Sequence, residues 1–224
     1  MLRQRFQNDG FAVVDVLVDH DLEALCREAD RVLSQDVGRG GARHVLIKSE
    51  LFRDLAEKGP PVSVARAVLG PSARPTKATL FDKTPGANWK VPWHQDLTLS
   101  VSHRADLEGF GPWTVKDGVH HVQPPVEILE QVLALRLHLD PTPEHNGALR
   151  VVPGSHRLGR LRDAEIDTLI AEGRSVTCPV QAGGAMLMSP LLLHASSAAD
   201  PPTRRRVLHL EYCAVSLPGD LDWA

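Results

Sequence analysis

The chain has little cysteine, a single tyrosine, no long apolar run and almost no imbalance of charge. Each shortage removes a class of protein. Its three cysteines, Cys26, Cys178 and Cys213, are odd in number and lack CxxC spacing. A disulfide framework is therefore excluded, and reduced, buried thiols in a cytoplasm are the simplest reading. No stretch approaches the roughly 18 consecutive apolar residues that a membrane span needs. The N-terminal stretch carries neither an apolar h-region nor a small-residue cleavage site, so no signal peptide is expected. A net charge of -3 offers no electrostatic grip on nucleic acid or on an anionic membrane. Internal repeats, linkers, low-complexity tracts and heptads are also missing, which points to one domain, 1–224, and to a monomer or weak homodimer. What remains is ordinary globular material, 42% hydrophobic and 24% charged over 224 residues. Such a length suits a single β-barrel or sandwich of about 200–250 residues. Eleven histidines stand against one tyrosine. That ratio alone carries little, because a lone histidine is more often a surface or hydrogen-bonded core residue than a ligand.

Periodicity divides the chain. Residues 6–18 read as an opening strand with Asn8-Asp9-Gly10 as a turn inside it. Residues 19–33 read as an amphipathic helix, with Leu22, Leu25, Ala29, Val32 and Leu33 at helical spacing. Gly38-Arg39-Gly40-Gly41 reads as a flexible loop, and 49–57 and 61–69 as two short helices, the second opened by a proline. From Pro75 the period changes. Strands are expected at 76–83, 132–139, 148–152, 175–180, 185–188, 191–196 and 205–215, with a short helix at 163–172 and an Asn146-Gly147 turn. Residues 100–125, rich in glycine and proline, read as a long irregular stretch, the kind of loop that forms lids. Helices first and about eight short strands afterwards suggest a mainly β fold, an antiparallel sandwich or barrel with helices on one face. The expected division is a helical part at about 1–72, a β core at about 73–216 and a lid insertion at about 97–126.

Chemistry concentrates at Trp93-His94-Gln95-Asp96-Leu97. Side chains two apart on an extended strand point to the same side, so His94 and Asp96 can share one ligand sphere. With His194 from a neighbouring strand they complete a 2-His-1-carboxylate facial triad, the donor set of O₂-using non-haem Fe(II) enzymes. Alone, His-x-Asp is weak. The tail adds weight: Arg205 lies eleven residues beyond His194, and its planar fork grips a carboxylate through two parallel hydrogen bonds. Ser196 shares the strand parity of His194 and can join that carboxylate. If Arg205 faces the barrel, Arg204 and Arg206 face away.

The chain resembles the phytanoyl-CoA dioxygenase-like branch of the Fe(II)/2-oxoglutarate-dependent oxygenases. The resemblance is carried by Phe6, by Asp9-Gly10-Phe11-Ala12-Val13-Val14 and by Trp93-His94-Gln95-Asp96. Downstream it continues through Asn146-Gly147-Ala148-Leu149, Val152-Pro153-Gly154-Ser155-His156, His194, Ser196 and Arg205-Arg206-Val207-Leu208. It spans about residues 6–212. It implies a double-stranded β-helix, or jelly roll of cupin type. It implies iron ligation by His94, Asp96 and His194, 2-oxoglutarate as cosubstrate with its 5-carboxylate on Arg205 helped by Ser196, and O₂ as oxidant. His156 then lies in a structural turn and is not a ligand. Related halogenases replace the carboxylate ligand by a small residue, so Asp96 argues for oxygen transfer.

Other residues stay open between two roles. Arg136 and His138 alternate with Leu135, Leu137 and Leu139, so Arg136 either touches cosubstrate or substrate inside the barrel or faces solvent. Lys77 shares parity with Thr79 and Phe81 and is either a contact for cosubstrate or substrate or a surface lysine. Trp89, Trp93 and Trp113 either line the pocket or pack in the core. The leading expectation is a hydroxylase of a small polar metabolite that releases succinate and CO₂. The alternatives are a 2-oxoglutarate-independent cupin-type metalloenzyme and a non-catalytic jelly-roll binding module. The polar residues of the lid, His103, Arg104, Asp106, Glu108, Lys116, Asp117, His120 and His121, favour a small polar substrate over a long acyl chain.

Overall fold

A computed structural model describes residues 1–36 and 40–224. The reading of Gly38-Arg39 as loop lies outside the described residues. The N-terminal part runs α1 (Leu2–Asp9), β1 (Phe11–Val14), α2 (Leu22–Leu33), β2 (Gly41–Ala42), α3 (Val45–Lys48), α4 (Glu50–Lys58) and α5 (Pro60–Leu69). Next come β3 (Arg74–Lys83), β4 (Val91–His94), β5 (Leu99–Val101), β6 (Trp113–Lys116), β7 (Val119–Val122) and α6 (Val126–Leu129). The chain closes with β8 (Val132–His138), β9 (Leu149–Val151), α7 (Asp163–Ala171), β10 (Val176–Cys178), β11 (Ala185–Met188), β12 (His194–Ser196) and β13 (Arg205–Cys213).

Two antiparallel sheets form the jelly roll. The larger has the order β1-β11-β8-β13-β3-β2 and the smaller β10-β9-β12-β4. Helices α1–α5 cover one face of the larger sheet. Leu25, Ala29 and Val32 of α2, Phe52 and Ala56 of α4 and Val62, Ala65 and Val68 of α5 pack against Leu80, Leu133, Leu135, Leu137, Leu208 and Leu210. Tyr212, the only tyrosine, points into this layer and donates its hydroxyl to Ala56 O at 3.0 Å. The Ser49 hydroxyl caps α4 by accepting from Phe52 N at 3.1 Å. The opposite face of the larger sheet looks at the smaller sheet across a cavity.

Two expectations are corrected. Residues 6–18 are not one strand: α1 occupies Leu2–Asp9 and only Phe11–Val14 is extended. Asn8-Asp9-Gly10 ends the helix, with Gly10 at φ 80° returning its N–H to Phe6 O, a left-handed cap that glycine adopts readily. Nor is 100–125 irregular. It contributes to a three-stranded sheet of order β5-β7-β6. Asp117 (φ 50°) and Gly118 (φ 78°) form a two-residue turn between Lys116 and Val119, the type I′ hairpin that Asp-Gly favours. Leu99, Val101 and Val122 bury against Leu129, Leu217 and Leu221, so this sheet has its own core.

Candidate metal and cosubstrate site

Strand pairing builds the first part of the site. His94 ends β4 and lies directly opposite His194 in the antiparallel β4–β12 register. Opposed residues share a face, and the two imidazole centroids come within 4.2 Å. Asp96 follows beyond the strand end, where its N–H donates to Pro190 O at 2.8 Å. Gln95 points the other way. Its amide donates to Gly159 O (2.8 Å) and Leu191 O (2.6 Å), and its oxygen accepts from Leu161 N (2.8 Å). Three backbone groups thus pin the residue between the two candidate ligands and fix their direction.

The imidazoles are oriented for coordination. His94 Nδ1 lies 2.9 Å from Pro92 O and His194 Nδ1 2.9 Å from Leu192 O. A carbonyl only accepts, so each Nδ1 carries a proton, and in the neutral ring Nε2 is the nitrogen left to hold a metal. Both Nε2 atoms face Asp96, at 3.5 Å from His94 and 3.7 Å from His194. One ligand atom from each of the three lies within 4.8 Å of the others, the spacing at which a single ion can be shared. Burial tends to raise the Asp96 carboxyl, but His194 and His94 outweigh it and hold it below the usual carboxylate range. Burial drives His194 down to about 4 against the pull of Asp96. An ionised carboxylate beside a neutral, buried imidazole is the state that metal binding requires.

The same cavity, about 270 Å³, is lined by Lys77, Arg136, Ser196 and Arg205 as well as the triad. All seven residues singled out in the sequence therefore converge. On β13 the expected alternation holds. Arg204 pairs outward with Asp30 and Asp82, Arg206 with Asp140 and Asp30, while Arg205 turns inward, 4% exposed. It donates to the Gly147 carbonyl. A Cβ at Gly147 would come within 3.2 Å of the Arg205 guanidinium and 2.7 Å of Ser197 O, so the Asn146-Gly147 turn leaves room for this arginine.

Three residues at the site were missed. Lys83 is 1% exposed and donates to Ser197 O at 2.9 Å, with Ser196 Oγ at 3.5 Å. It shares parity with Lys77, Thr79 and Phe81, and that signal could have found it. His209 and Glu211 share parity with Arg205 and line the cavity itself, which Lys83 borders through Ser196. Arg136 donates from Nη1 to His209 Nδ1 at 3.2 Å, and Glu211 pairs with Lys77 at 2.7 Å. Burial would raise Glu211, but Lys77 and His209 hold it down to about 2.

Among the described residues, Lys83, Arg136 and Arg205 have no ion-pair partner. Burial, with repulsion from Arg205 and Arg136, pushes Lys83 down to about 8. Burial lowers Arg136 to about 10 against the attraction of Asp96, and burial with Arg136 lowers Arg205 to about 10. The Nε atoms of Arg136 and Arg205 are buried without a hydrogen-bond partner. Buried cations and orphaned donors of this kind are costly unless an anion completes them. The donor set fits Fe(II), and the cluster beside it fits a carboxylate-bearing cosubstrate.

Other candidates lie elsewhere. His156 Nε2 bonds Gln7 O at 3.2 Å, consistent with a structural turn. His138 is tied to Thr142 Oγ1 at 2.7 Å. Of the three tryptophans weighed, Trp89 lines the cavity, whereas Trp93 stacks under Arg150 and Trp113 joins the core of the small sheet.

A jelly roll that brings a His-Asp-His cluster and unpaired cations into one cavity defines the class of non-haem Fe(II)/2-oxoglutarate oxygenases. Within that class, the chain belongs to the phytanoyl-CoA dioxygenase family, whose model matches residues 6–207. No curated protein matches it. Among solved structures it is similar to AviO1 from Streptomyces viridochromogenes Tue57, with 26% identity, TM-score 0.70 and coverage of 97% of this chain and 96% of the other. EctD from S. alaskensis with bound Fe shares the fold at 20% identity, TM-score 0.74 and coverage of 95% and 75%. So does the epimerase SnoN in complex with Fe3+, alpha ketoglutarate and nogalamycin RO, at 20% identity, TM-score 0.72 and coverage of 98% and 90%.

Proposed function

We propose that this oxygenase hydroxylates a small polar metabolite, consuming 2-oxoglutarate and O₂ and releasing succinate and CO₂. His94, Asp96 and His194 would hold Fe(II). Arg205, with Ser196 and Lys83, would grip the far carboxylate of 2-oxoglutarate. Bound Fe(II) and 2-oxoglutarate would activate O₂, the oxidant, one oxygen atom ending in succinate and the other in the hydroxylated C–H bond of the substrate. The chain's own residues orient and enclose. The Nδ1 bonds fix both imidazoles, Gln95 anchors the loop that carries Asp96, and the paired sheets shape the chamber. The segment at about 97–126 would serve as lid over a single oxygenase domain. Free Cys26, Cys178 and Cys213 support a reducing, cytoplasmic setting, and a monomer or weak homodimer remains the expected state. No described helix is long and apolar enough to cross a membrane.

One observation carries the reading. The candidate metal ligands and two of the unpaired cations, Arg136 and Arg205, face one cavity, which is what a metal-chelating dicarboxylate needs. Anaerobic addition of Fe(II) and 2-oxoglutarate should give the weak visible charge-transfer band of the chelate. Arg205→Ala should raise the 2-oxoglutarate requirement about 10–100-fold, the worth of hydrogen bonds to a charged group. Unchanged cosubstrate dependence would favour a cupin-type metalloenzyme. No band and no succinate would favour a binding module.

A further inference from the structure

A second cavity, also about 270 Å³, adjoins the first and shares Lys77, Thr79, Phe81, Asp96 and Thr98 with it. The two make one chamber. The inner half holds the triad and the Arg205 cluster. The outer half opens between the segment carrying Arg43 and Ile47 and the β5–β7 sheet, from which Ser100, Lys116 and His121 face it. If Fe(II) and 2-oxoglutarate fill the inner half, the substrate lies in the outer half.

The charge of this chamber opposes that of the molecule. The whole chain carries -3, yet among the described residues five cationic side chains line the chamber: Arg43, Lys77, Lys116, Arg136 and Arg205. Only two acidic side chains do so among the described residues, Asp96 and Glu211. Asp117 offsets Arg43 from the rim. Fe(II) and 2-oxoglutarate carry opposite charges of equal size and cancel. The loaded chamber therefore stays positive, and low-dielectric walls focus such a field on an incoming ligand. His121 adds no charge: its Nδ1 donates to Val119 O at 3.1 Å and its Nε2 meets the Ser100 hydroxyl at 3.0 Å.

Lys77 stands at the junction of the two halves. Glu211 takes one of its donors at 2.7 Å, and an ammonium has three. The Glu211 carboxylate keeps the lysine charged and aimed while two N–H directions remain for a ligand. Lys116, at the mouth, has no ion-pair partner among the described residues. Resting on the oxygenase reading above, we infer that the substrate is a small acid. Its carboxylate or phosphate group docks on Lys77, with Lys116 drawing it in, while a C–H bond of the same molecule lies towards the His94–Asp96–His194 cluster.

The test uses the full chain loaded anaerobically with Fe(II) and saturating 2-oxoglutarate, which blocks the inner carboxylate site. Calorimetric titration compares hexanoate with hexanamide and glucose 6-phosphate with glucose. At least one anion should bind about tenfold or more tighter than its neutral twin. Which pair shows the preference separates carboxylate from phosphate. The Lys77→Met/Glu211→Gln double variant removes one buried charge of each sign, so the net charge of the chamber is unchanged and the fold is spared an orphaned carboxylate. It should abolish the preference and leave 2-oxoglutarate affinity unchanged. Lys116→Ala, on the surface, should weaken the anion about threefold. Equal binding of the twins, no binding of either anion at millimolar concentration, or a preference that survives the double variant would overturn the inference. So would a double variant that loses 2-oxoglutarate affinity, since Lys77 would then belong to the cosubstrate. Failure of the unmodified chain to bind 2-oxoglutarate in a control titration would instead sink the oxygenase reading beneath it.

Discussion

Along the chamber, at β8 and β13, the two faces of the larger sheet are both buried and chemically opposite. On β8 and β13, Leu133, Leu135, Leu137, Leu208 and Leu210 face the helices. Arg136, Arg205, His209 and Glu211, between them in sequence, face the chamber. In most sheets an apolar-polar alternation separates core from water. Here it separates a packed core from a binding chamber, and the polar face holds two cations, Arg136 and Arg205, without an ion-pair partner among the described residues. One face is built for stability and the other for ligands, at some cost in stability.

That division can be broken by substitution. The largest effect is expected at the candidate metal ligands. His194→Ala should cost more than about 100-fold in turnover, since changes to outer-shell partners alone cost about 10–100-fold. Fe(II) titration should show the lost site while the melting temperature moves little. On the opposite face Leu135→Ala should do the reverse. It should destabilise by about 2–5 kcal/mol, seen in denaturant melts, and leave 2-oxoglutarate affinity unchanged. A loss of cosubstrate affinity there would show that the faces are coupled.

A subtler contrast comes from Lys83. Burial, with Arg205 and Arg136, lowers its folded value from 10.5 to about 8. If its charged form helps to grip the cosubstrate carboxylate as proposed, 2-oxoglutarate affinity should fall as pH rises through about 8. Stability should move the other way. Between about 8 and 10.5 the unfolded chain holds the proton that the folded chain has released, so stability rises with pH across that window. Lys83→Met should flatten both trends, measured as dissociation constants and melts against pH. The smallest effect is expected at Arg204, whose pairs with Asp30 and Asp82 are partly exposed. Arg204→Ala should change stability by no more than about 1 kcal/mol and leave cosubstrate binding untouched.

Much of this was legible in the chain. The amphipathic pattern of α2 and the alternation of β8 and β13 appear where expected. The ends of elements were less so. Asn8-Asp9-Gly10 serves a hairpin or a helix cap equally well, and packing of Phe6 accompanies the helix. Asp117-Gly118 signalled a hairpin but was hidden in a stretch dense with glycine and proline. Lys83 escaped because a lysine at a strand end usually reaches water; only the paired sheets bury it.

The sequence by itself determined the donor types, the alternation that puts Arg205 opposite Arg204 and Arg206, and the family to which the chain belongs. Those are local properties of side-chain chemistry and of period-2 geometry. Tertiary structure decided which face of each strand meets water and which meets the chamber. It set His194 across from His94 and brought Lys83 beside Ser196. Alternation states that two faces differ, but only the packing of one sheet on another turns the polar face inward and leaves its charges for a ligand to neutralise.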